Sequence, residues 1–348
     1  MAKIKQHYVA AALAMATAAA PGTAIAGSAA YEDRIGAAKS SMMGNSAAAL
    51  SYARDARALV DHADADAAKD ALTASWLEAE ALLRLNRTDE ATEIAKASLA
   101  QAEDLLPGTR LHADILRSNG SVAATLGDYA AALDYFQKSL GLFKDLNIKR
   151  SEAIVLQNIG SIYSDAGNFG CVLHYYDQAA QVYPDDIALS LSGHNNRGNA
   201  YKELGRHAEA EQSFRDALAI AEKIDSPMLK ARILTNLASV LHLSGDNGQA
   251  ADTAAEALDI AKQHAPDWTP FIYGVQAQIE LAQGNVENAE QRITLAFADQ
   301  VPESTNPLFR DFHKTAAEIF RKRAQPELAE RHAAALVRIE RSAAAVGL

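Results

Sequence analysis

Apolar and polar positions follow one another along most of this chain with the period of a helix that buries one face. Residues 154–163, with the sequence IVLQNIGSIY, give a clear example. Five apolar side chains of this segment fall on one helical face, at steps of i, i+1, i+4, i+7 and i+8: Val155, Leu156, Ile159, Ile162 and Tyr163. The polar side chains fall elsewhere. The pattern predicts a helix whose apolar stripe packs into a core.

A turn signal recurs between such helices. Each signal is a glycine or asparagine followed five positions later by a small apolar residue. Six pairs share this pattern at intervals of 38 to 41 residues: Asn86 with Ala91, Gly127 with Ala132, Gly167 with Val172, Gly205 with Ala210, Gly245 with Ala250, and Gly284 with Ala289. Degenerate members at the two ends extend the series to about eight repeats: Gly44 with Ala49, and Ala324 with Ala329.

Positions on both sides of each turn repeat as well. Six members have a small residue seven positions before the turn: Ala79, Gly120, Gly160, Gly198, Ala238 and Ala277. Four have a bulkier residue nine positions after it: Phe136, Tyr176, Phe214 and Ile293. In two others this place is taken by Ala95 and Ala254. We interpret each repeat as two antiparallel helices that cross closely at the small residue, with the bulky side chain filling the seam.

The sequence resembles the tetratricopeptide repeat family in three segments: SNGSVAATLGDYAAALDYFQKSL (118–140), LQNIGSIYSDAGNFGCVLHYYDQAAQVYP (156–184) and NNRGNAYKELGRHAEAEQSFRDAL (195–218). The resemblance implies an all-α fold over residues 27–348, a right-handed superhelical solenoid of antiparallel helix pairs with a concave groove. The period near 40 exceeds the usual repeat of about 34 residues, so we expect longer helices. Long-period arrays of this kind look like those of bacterial sensory and regulatory proteins.

The first 26 residues have the features of a bacterial secretory signal peptide. Lys3 and Lys5 precede an alanine-rich apolar run, and a small-x-small pattern ends at Ala26. We expect cleavage after Ala26 and a periplasmic or secreted protein, with no membrane insertion after cleavage. Alternatively, this N-terminal segment is not cleaved or is simply disordered, because alanine makes the run only weakly hydrophobic.

Charge and motifs narrow the classes of function. The formal net charge is −11, and no block of lysines and arginines is present, which argues against nucleic acid as a partner. Phosphate-loop, zinc-protease and serine-hydrolase motifs are absent, so we expect no enzyme and no cofactor. No metal is expected either. Cys171 and His174 could share one in principle, but a small buried thiol on a helix is the simpler interpretation of Cys171.

A polar lining is the strongest functional signal. If the first helix of each repeat faces the groove, as in the family, ten residues are candidate ligand contacts: Arg117, Gln157, Asn158, Asn195, Asn196, Asn199, Lys202, Arg232, Asn236 and Ser239. Amides can donate to and accept from a peptide backbone, which suits an extended peptide. Alternatively, the asparagines bond to neighbouring helices and hold the array together. The basic residues favour an acidic ligand or a C-terminal carboxylate, unless they only balance nearby acids.

These features predict a non-catalytic scaffold in the cell envelope that binds a protein or peptide in its groove. The alternative, from a different class, is a protein that resembles the sensory ectodomain of repeat-containing signalling proteins but lacks a membrane span and an output domain.

Overall fold

The structure is a computed structural model that describes residues 29–61, 64–298 and 309–344. The predicted signal peptide lies outside these residues. Within them the chain forms sixteen α-helices in consecutive pairs and a short 3-10 helix at Pro266–Trp268. The helices are α1 (Ala29–Ser41), α2 (Ser46–Ala58), α3 (Ala67–Arg84), α4 (Thr88–Leu105), α5 (Arg110–Leu126), α6 (Tyr129–Asp145), α7 (Lys149–Asp165), α8 (Phe169–Val182), α9 (Ile187–Glu203), α10 (His207–Lys223), α11 (Pro227–Leu243), α12 (Asn247–His264), α13 (Thr269–Ala282), α14 (Val286–Ala296), α15 (Arg310–Lys322) and α16 (Pro326–Ala344).

The predicted turns are confirmed at seven of the eight repeat members. The turn residue has a left-handed backbone, with φ between 56° and 90°, at Asn86, Gly127, Gly167, Gly205, Gly245, Gly284 and Ala324. At Gly127, for example, the glycine N–H donates to the carbonyl of Ala124 at 3.0 Å, and the next N–H donates to that of Ala123 at 2.9 Å. This pair of bonds ends a helix and reverses the chain. The first member differs, since Gly44 has no left-handed φ.

The residue after the turn often starts the second helix. The carboxylate of Asp128 accepts from the backbone N–H of Ala131 at 3.1 Å, and that of Asp246 accepts from Gln249 at 3.0 Å. Side-chain caps of this kind satisfy backbone donors that have no partner within the helix. A glycine followed by aspartate therefore both ends one helix and begins the next.

The predicted close crossing is confirmed at two glycines. A methyl group added at Gly120 would lie 2.5 Å from the ring of Phe136, and one added at Gly198 would lie 2.7 Å from that of Phe214. Both rings are fully buried. A further close approach lies between α13 and α15, where a methyl group added at Gly274 would lie 2.5 Å from the ring of Phe312. Ala277, the small residue predicted for the crossing within the seventh pair, is buried.

A second set of turns, between successive pairs, was not foreseen. Gly108, Asn147 and Asp225 have positive φ values of 74°, 53° and 49°. The residues after Asn147 and Asp225 also donate five positions back, to the carbonyls of Phe143 and Ala221. Asparagine and aspartate tolerate this conformation better than other residues with a side chain. Because two of these three turns use them in place of glycine, no regularly spaced glycine marks this second set in the sequence.

The described chain divides into two compact units. We call the part that ends at Ile162, together with Asp177–Leu189, the first unit. The second unit comprises Tyr163–Tyr176 and the chain from Ser190 onward. Each has an apolar core rich in alanine, with larger residues such as Leu77 in the first unit and Phe214 in the second. Alanine at the contact points lets helix backbones approach closely.

Candidate functional site

The candidate site is a polar face on α9 and α11 of the second unit. Five of the predicted ligand contacts lie there, and all are half-buried: Asn195, Asn196, Asn199, Asn236 and Ser239. On α9 the asparagines occupy positions i, i+1 and i+4, and on α11 Asn236 and Ser239 are three apart, so each set shares one helical face. We call these five residues the amide face.

Hydrogen bonds join the amides to one another. The Nδ2 of Asn236 donates to the Oδ1 of Asn195 at 3.0 Å, which links α11 to α9 across 41 residues of sequence. Asn195 in turn donates to Asn196 at 3.4 Å. The Nδ2 of Asn196 donates to the hydroxyl of Tyr176 at 2.7 Å and to Ser192 at 3.3 Å. At Asn196 and Asn236 the recurring asparagine therefore links neighbouring helices, which is one of the two roles considered for it.

The amides keep further capacity for hydrogen bonds. A primary amide offers two N–H donors and an oxygen with two lone pairs. Asn236 uses one donor in its bond to Asn195. The side chain is half-buried, and its bond to Asn195 leaves the carbonyl oxygen and the second N–H of the amide outside that bond. Linking the helices and binding a ligand are thus compatible roles for the same side chains.

The two basic candidates on these helices have intramolecular contacts. The ammonium of Lys202 lies 3.5 Å from a carboxylate oxygen of Glu203. The guanidinium of Arg232 lies 4.7 Å from the ring centre of Trp268, whose indole N–H donates to Thr235 at 3.1 Å. Glu203 thus balances the charge of Lys202, and Arg232 makes a cation–π contact with Trp268. They add no specific support for recognition of a carboxylate.

A nearby histidine adds no positive charge at neutral pH. Burial lowers the pKa of the His194 imidazole on α9, although Asp216 opposes the shift. The ring therefore stays neutral at pH 7, with its Nδ1 3.6 Å from the carboxylate of Asp216.

The other three predicted contacts lie in the interior of the first unit. Arg117 is 5% exposed, and its guanidinium lies 3.4 Å from Glu80 and 3.9 Å from Asp114. Gln157 is 2% exposed and donates to the backbone carbonyl of Leu189 at 2.9 Å. Asn158 is 8% exposed. These side chains are enclosed in the unit, so the structure does not bring them onto the surface with the amide face.

Two residues at the site were not predicted as part of it. Tyr176 was expected only to fill a seam, but its hydroxyl accepts the bond from Asn196. The signal was the hydroxyl itself, since Phe136 and Phe214 hold the same repeat position without one. Trp268 covers Arg232. Nothing in the repeat pattern marks Trp268, because it lies in the 3-10 helix between two pairs.

Grouped metal ligands and membrane-spanning helices are both absent from the described residues. No three histidine, cysteine, aspartate or glutamate side chains within them are grouped so that they could hold a metal ion. None of the helices described has the length and apolar character required to cross a membrane.

Comparison with known proteins supports the repeat fold. The tetratricopeptide repeat family model matches residues 111–185 and 187–263, which confirms the resemblance for these segments. A comparison with curated proteins gave no match. With its paired helices and left-handed turns, this chain is a tetratricopeptide-like helical repeat protein.

Solved structures with a similar fold include several regulators. The apo form of the quorum sensor NprR from B. thuringiensis has a TM-score of 0.67 at 13% identity, covering 89% of this chain and 87% of that one. A Rap protein complexed with competence and sporulation factor has 0.61 at 13%, covering 91% and 99%. The Rap conjugation gene regulator of plasmid pLS20, in complex with the Phr* peptide, has 0.57 at 13%, covering 91% and 98%. At such identity the likeness shows the fold alone.

Proposed function

We propose that the amide face binds a protein or peptide segment in an extended conformation, and that the chain is a non-catalytic binding scaffold. The observation that carries this proposal is the bond from Asn236 to Asn195, which joins half-exposed amides of two successive first helices. An extended peptide presents N–H and C=O groups in alternation, and amides can pair with both. The peptide complexes among proteins of similar fold support the same class of ligand.

The experiment is selection of peptides from a displayed random library on the whole protein. We expect the selected peptides to bind at least about tenfold more weakly, a loss of about 1.4 kcal/mol, when Asn196, Asn199 and Lys202 are all replaced by alanine. A matched control replaces two exposed amides and a lysine on α12: Gln249, Lys262 and Gln263. Equal binding by the two triple variants would exclude the amide face as the site.

We also propose that the protein is exported, with cleavage after Ala26. The support is the basic start, apolar run and small-x-small ending of the first 26 residues. N-terminal sequencing of protein recovered from a bacterial periplasm tests this. Ala26 should be absent and Gly27 first, whereas protein that retains Met1 would refute cleavage.

A second candidate function is a sensory regulator that responds to its peptide. The fold likeness to the quorum sensor NprR favours it. A passive scaffold and a sensor differ in their response to ligand. Hydrogen exchange of the whole chain with a selected peptide should change only near α9 and α11 for a scaffold, and also in distant helices for a sensor.

A further inference from the structure

The second unit encloses a pair of histidines that the proposed function does not use. His313 on α15 and His332 on α16 are 0% and 3% exposed. Their Nδ1 atoms lie 2.9 Å apart, within hydrogen-bond distance. Histidine changes its charge near neutral pH, so a buried contact between two imidazoles is sensitive to acid.

The surroundings of the pair are aromatic. The ring of Phe297, at the end of α14, lies 4.7 Å from each imidazole. Phe320 stacks on His332 at 5.5 Å with an interplanar angle of 18°. Burial away from water disfavours the charged form of an imidazole in general, although the faces of aromatic rings offer a partial compensation.

The contact between the two Nδ1 atoms limits how many protons the pair can hold. A hydrogen bond requires that one Nδ1 carries hydrogen and that the other is bare. Two neutral imidazoles meet this condition in opposite tautomers, and one added proton on the donor ring is also compatible. A second added proton places two N–H groups face to face and two positive charges in contact. It therefore breaks the bond.

Charged groups on the surrounding helices contact other side chains or are exposed. On α13, Glu280 accepts from Asn285. On α14, Glu290 accepts from Arg323. On α15, one turn before His313, Arg310 lies 3.3 Å from Glu203 and 3.1 Å from Asp311. On α16, Arg331 is exposed, and the residues one turn either side of His332 are apolar: Leu328, Ala329, Ala335 and Leu336. Carboxylates and guanidinium groups ordinarily titrate outside pH 5 to 7, and imidazole titrates within this range.

We propose that the His313–His332 pair is an acid-sensitive latch that holds α15 and α16 together in the second unit. At neutral pH the imidazoles share one hydrogen bond, and below the ordinary imidazole pKa the released helices bind one proton more than the latched ones. Release therefore becomes more favourable as the pH falls, by up to about tenfold for each pH unit.

The latch also contacts the neighbourhood of the amide face through a continuous run of rings. Successive ring centres from Trp268 to Phe271, Phe309 and Phe297 are 4.3, 5.0 and 5.3 Å apart. Trp268 packs on Arg232. Loosening of α15 removes Phe309 from this run, so the order of Trp268 decreases with it. Only the effect of this change on ligand binding rests on the proposed function.

Hydrogen exchange of the full chain at pH 7 and pH 5.5, corrected for the intrinsic exchange rate, tests the latch. We expect opening of α15 and α16 to increase about tenfold or more at pH 5.5 relative to α1 and α2, which contain no histidine. The double variant His313→Asn, His332→Asn keeps a polar group near each Nδ1 position and should lose the increase. His174→Asn, at an exposed site on α8, should retain it. An increase that persists in the double variant would overturn the latch.

Two measurements keep the test decisive if the double variant folds poorly. NMR of the imidazole nitrogens in the parent protein should find one Nδ1–H and one Nε2–H tautomer at pH 7. Two imidazolium rings with α15 and α16 still protected at pH 5.5 would refute the latch. In a Trp76→Phe background, the emission of Trp268 should change over the same pH range, because it is then the only tryptophan. Constant emission while α15 opens would refute the connection through the rings.

Discussion

The same repeat position has different environments in α5 of the first unit and α9 of the second. Ten residues before the turn, Arg117 of α5 is 5% exposed, whereas Asn195 of α9 is half-buried. The other two members at this position, Gln157 and Thr235, are 2% and 3% exposed. In α5 every residue from Ala113 to Ala123 is buried. Between Ser190 and Glu203 of α9, only Gly198 and Ala200 are buried. Sequence position in a repeat thus does not decide whether a polar side chain meets solvent.

Burial dictates what the polar side chains do. In the first unit, Arg117 and Ser118 both contact the carboxylate of Glu80, because buried charges need partners inside the protein. In the second unit, half-exposed Asn195 and Asn236 make a neutral bond and still reach solvent. The buried ionic contacts of the first unit therefore serve stability. The half-buried amides of the second unit keep hydrogen-bonding groups for the proposed peptide ligand.

The largest expected effect is the loss of the buried charge pair. Arg117→Ala leaves Glu80 and Asp114 buried without their shared cation, and we expect a loss of about 3–5 kcal/mol in unfolding free energy. Asn195→Ala, the matched change in the second unit, should cost about 1 kcal/mol, since it removes a neutral, half-exposed hydrogen bond. Urea unfolding of the two variants measures the difference. Equal losses would contradict the contrast between the two units.

A smaller effect is expected at the close helix crossings, which occur in both units. Gly120→Ala and Gly198→Ala each press a methyl group into a buried ring, of Phe136 and Phe214 respectively. We expect each to cost about 1–3 kcal/mol. Gly141→Ala, in an exposed part of α6 with open space around it, should instead stabilise the chain by about 0.5–1 kcal/mol. Thermal unfolding of the three variants distinguishes these signs, and stabilisation by alanine at Gly198 would disprove the close crossing.

The smallest expected effect is the pH dependence of stability that the Asp114 carboxyl causes in the first unit. Burial raises the pKa of the Asp114 carboxyl, although Arg117 and Arg110 oppose the shift. The folded state therefore holds this proton more tightly than the unfolded state, and stability from this group declines as pH rises above the ordinary carboxyl value of 3.8. Asp114→Asn should be slightly more stable than the parent at pH 7, with the gain vanishing below that value. Denaturant titrations at pH 7 and pH 3.5 test this, and a variant less stable at pH 7 would show that the ion pairs dominate.

Turn positions and helix faces were largely predictable from the sequence. Gly205 and Gly245 mark turns because a left-handed backbone is almost free of steric cost only for glycine. Gly198 was predicted as a crossing point from its place in the repeat, and the ring of Phe214 confirms it. The turns at Asn147 and Asp225 were not predicted. These residues adopt a positive φ without glycine, so no repeated residue type marks them in the sequence.

The site was predictable only in part, because exposure depends on what packs outside each helix. The repeat pattern grouped Asn158 with Asn196 and Asn236, yet Asn158 is 8% exposed and the other two are half-exposed. The sequence likewise could not pair His313 with His332 or place Trp268 over Arg232, since these contacts join different helices. By itself the sequence determined the repeat, its turns and its buried stripes, all of which follow from short-range backbone sterics and helical period. The tertiary structure alone decided which polar residues are enclosed and which stay accessible, because burial is a property of the neighbours that surround a helix.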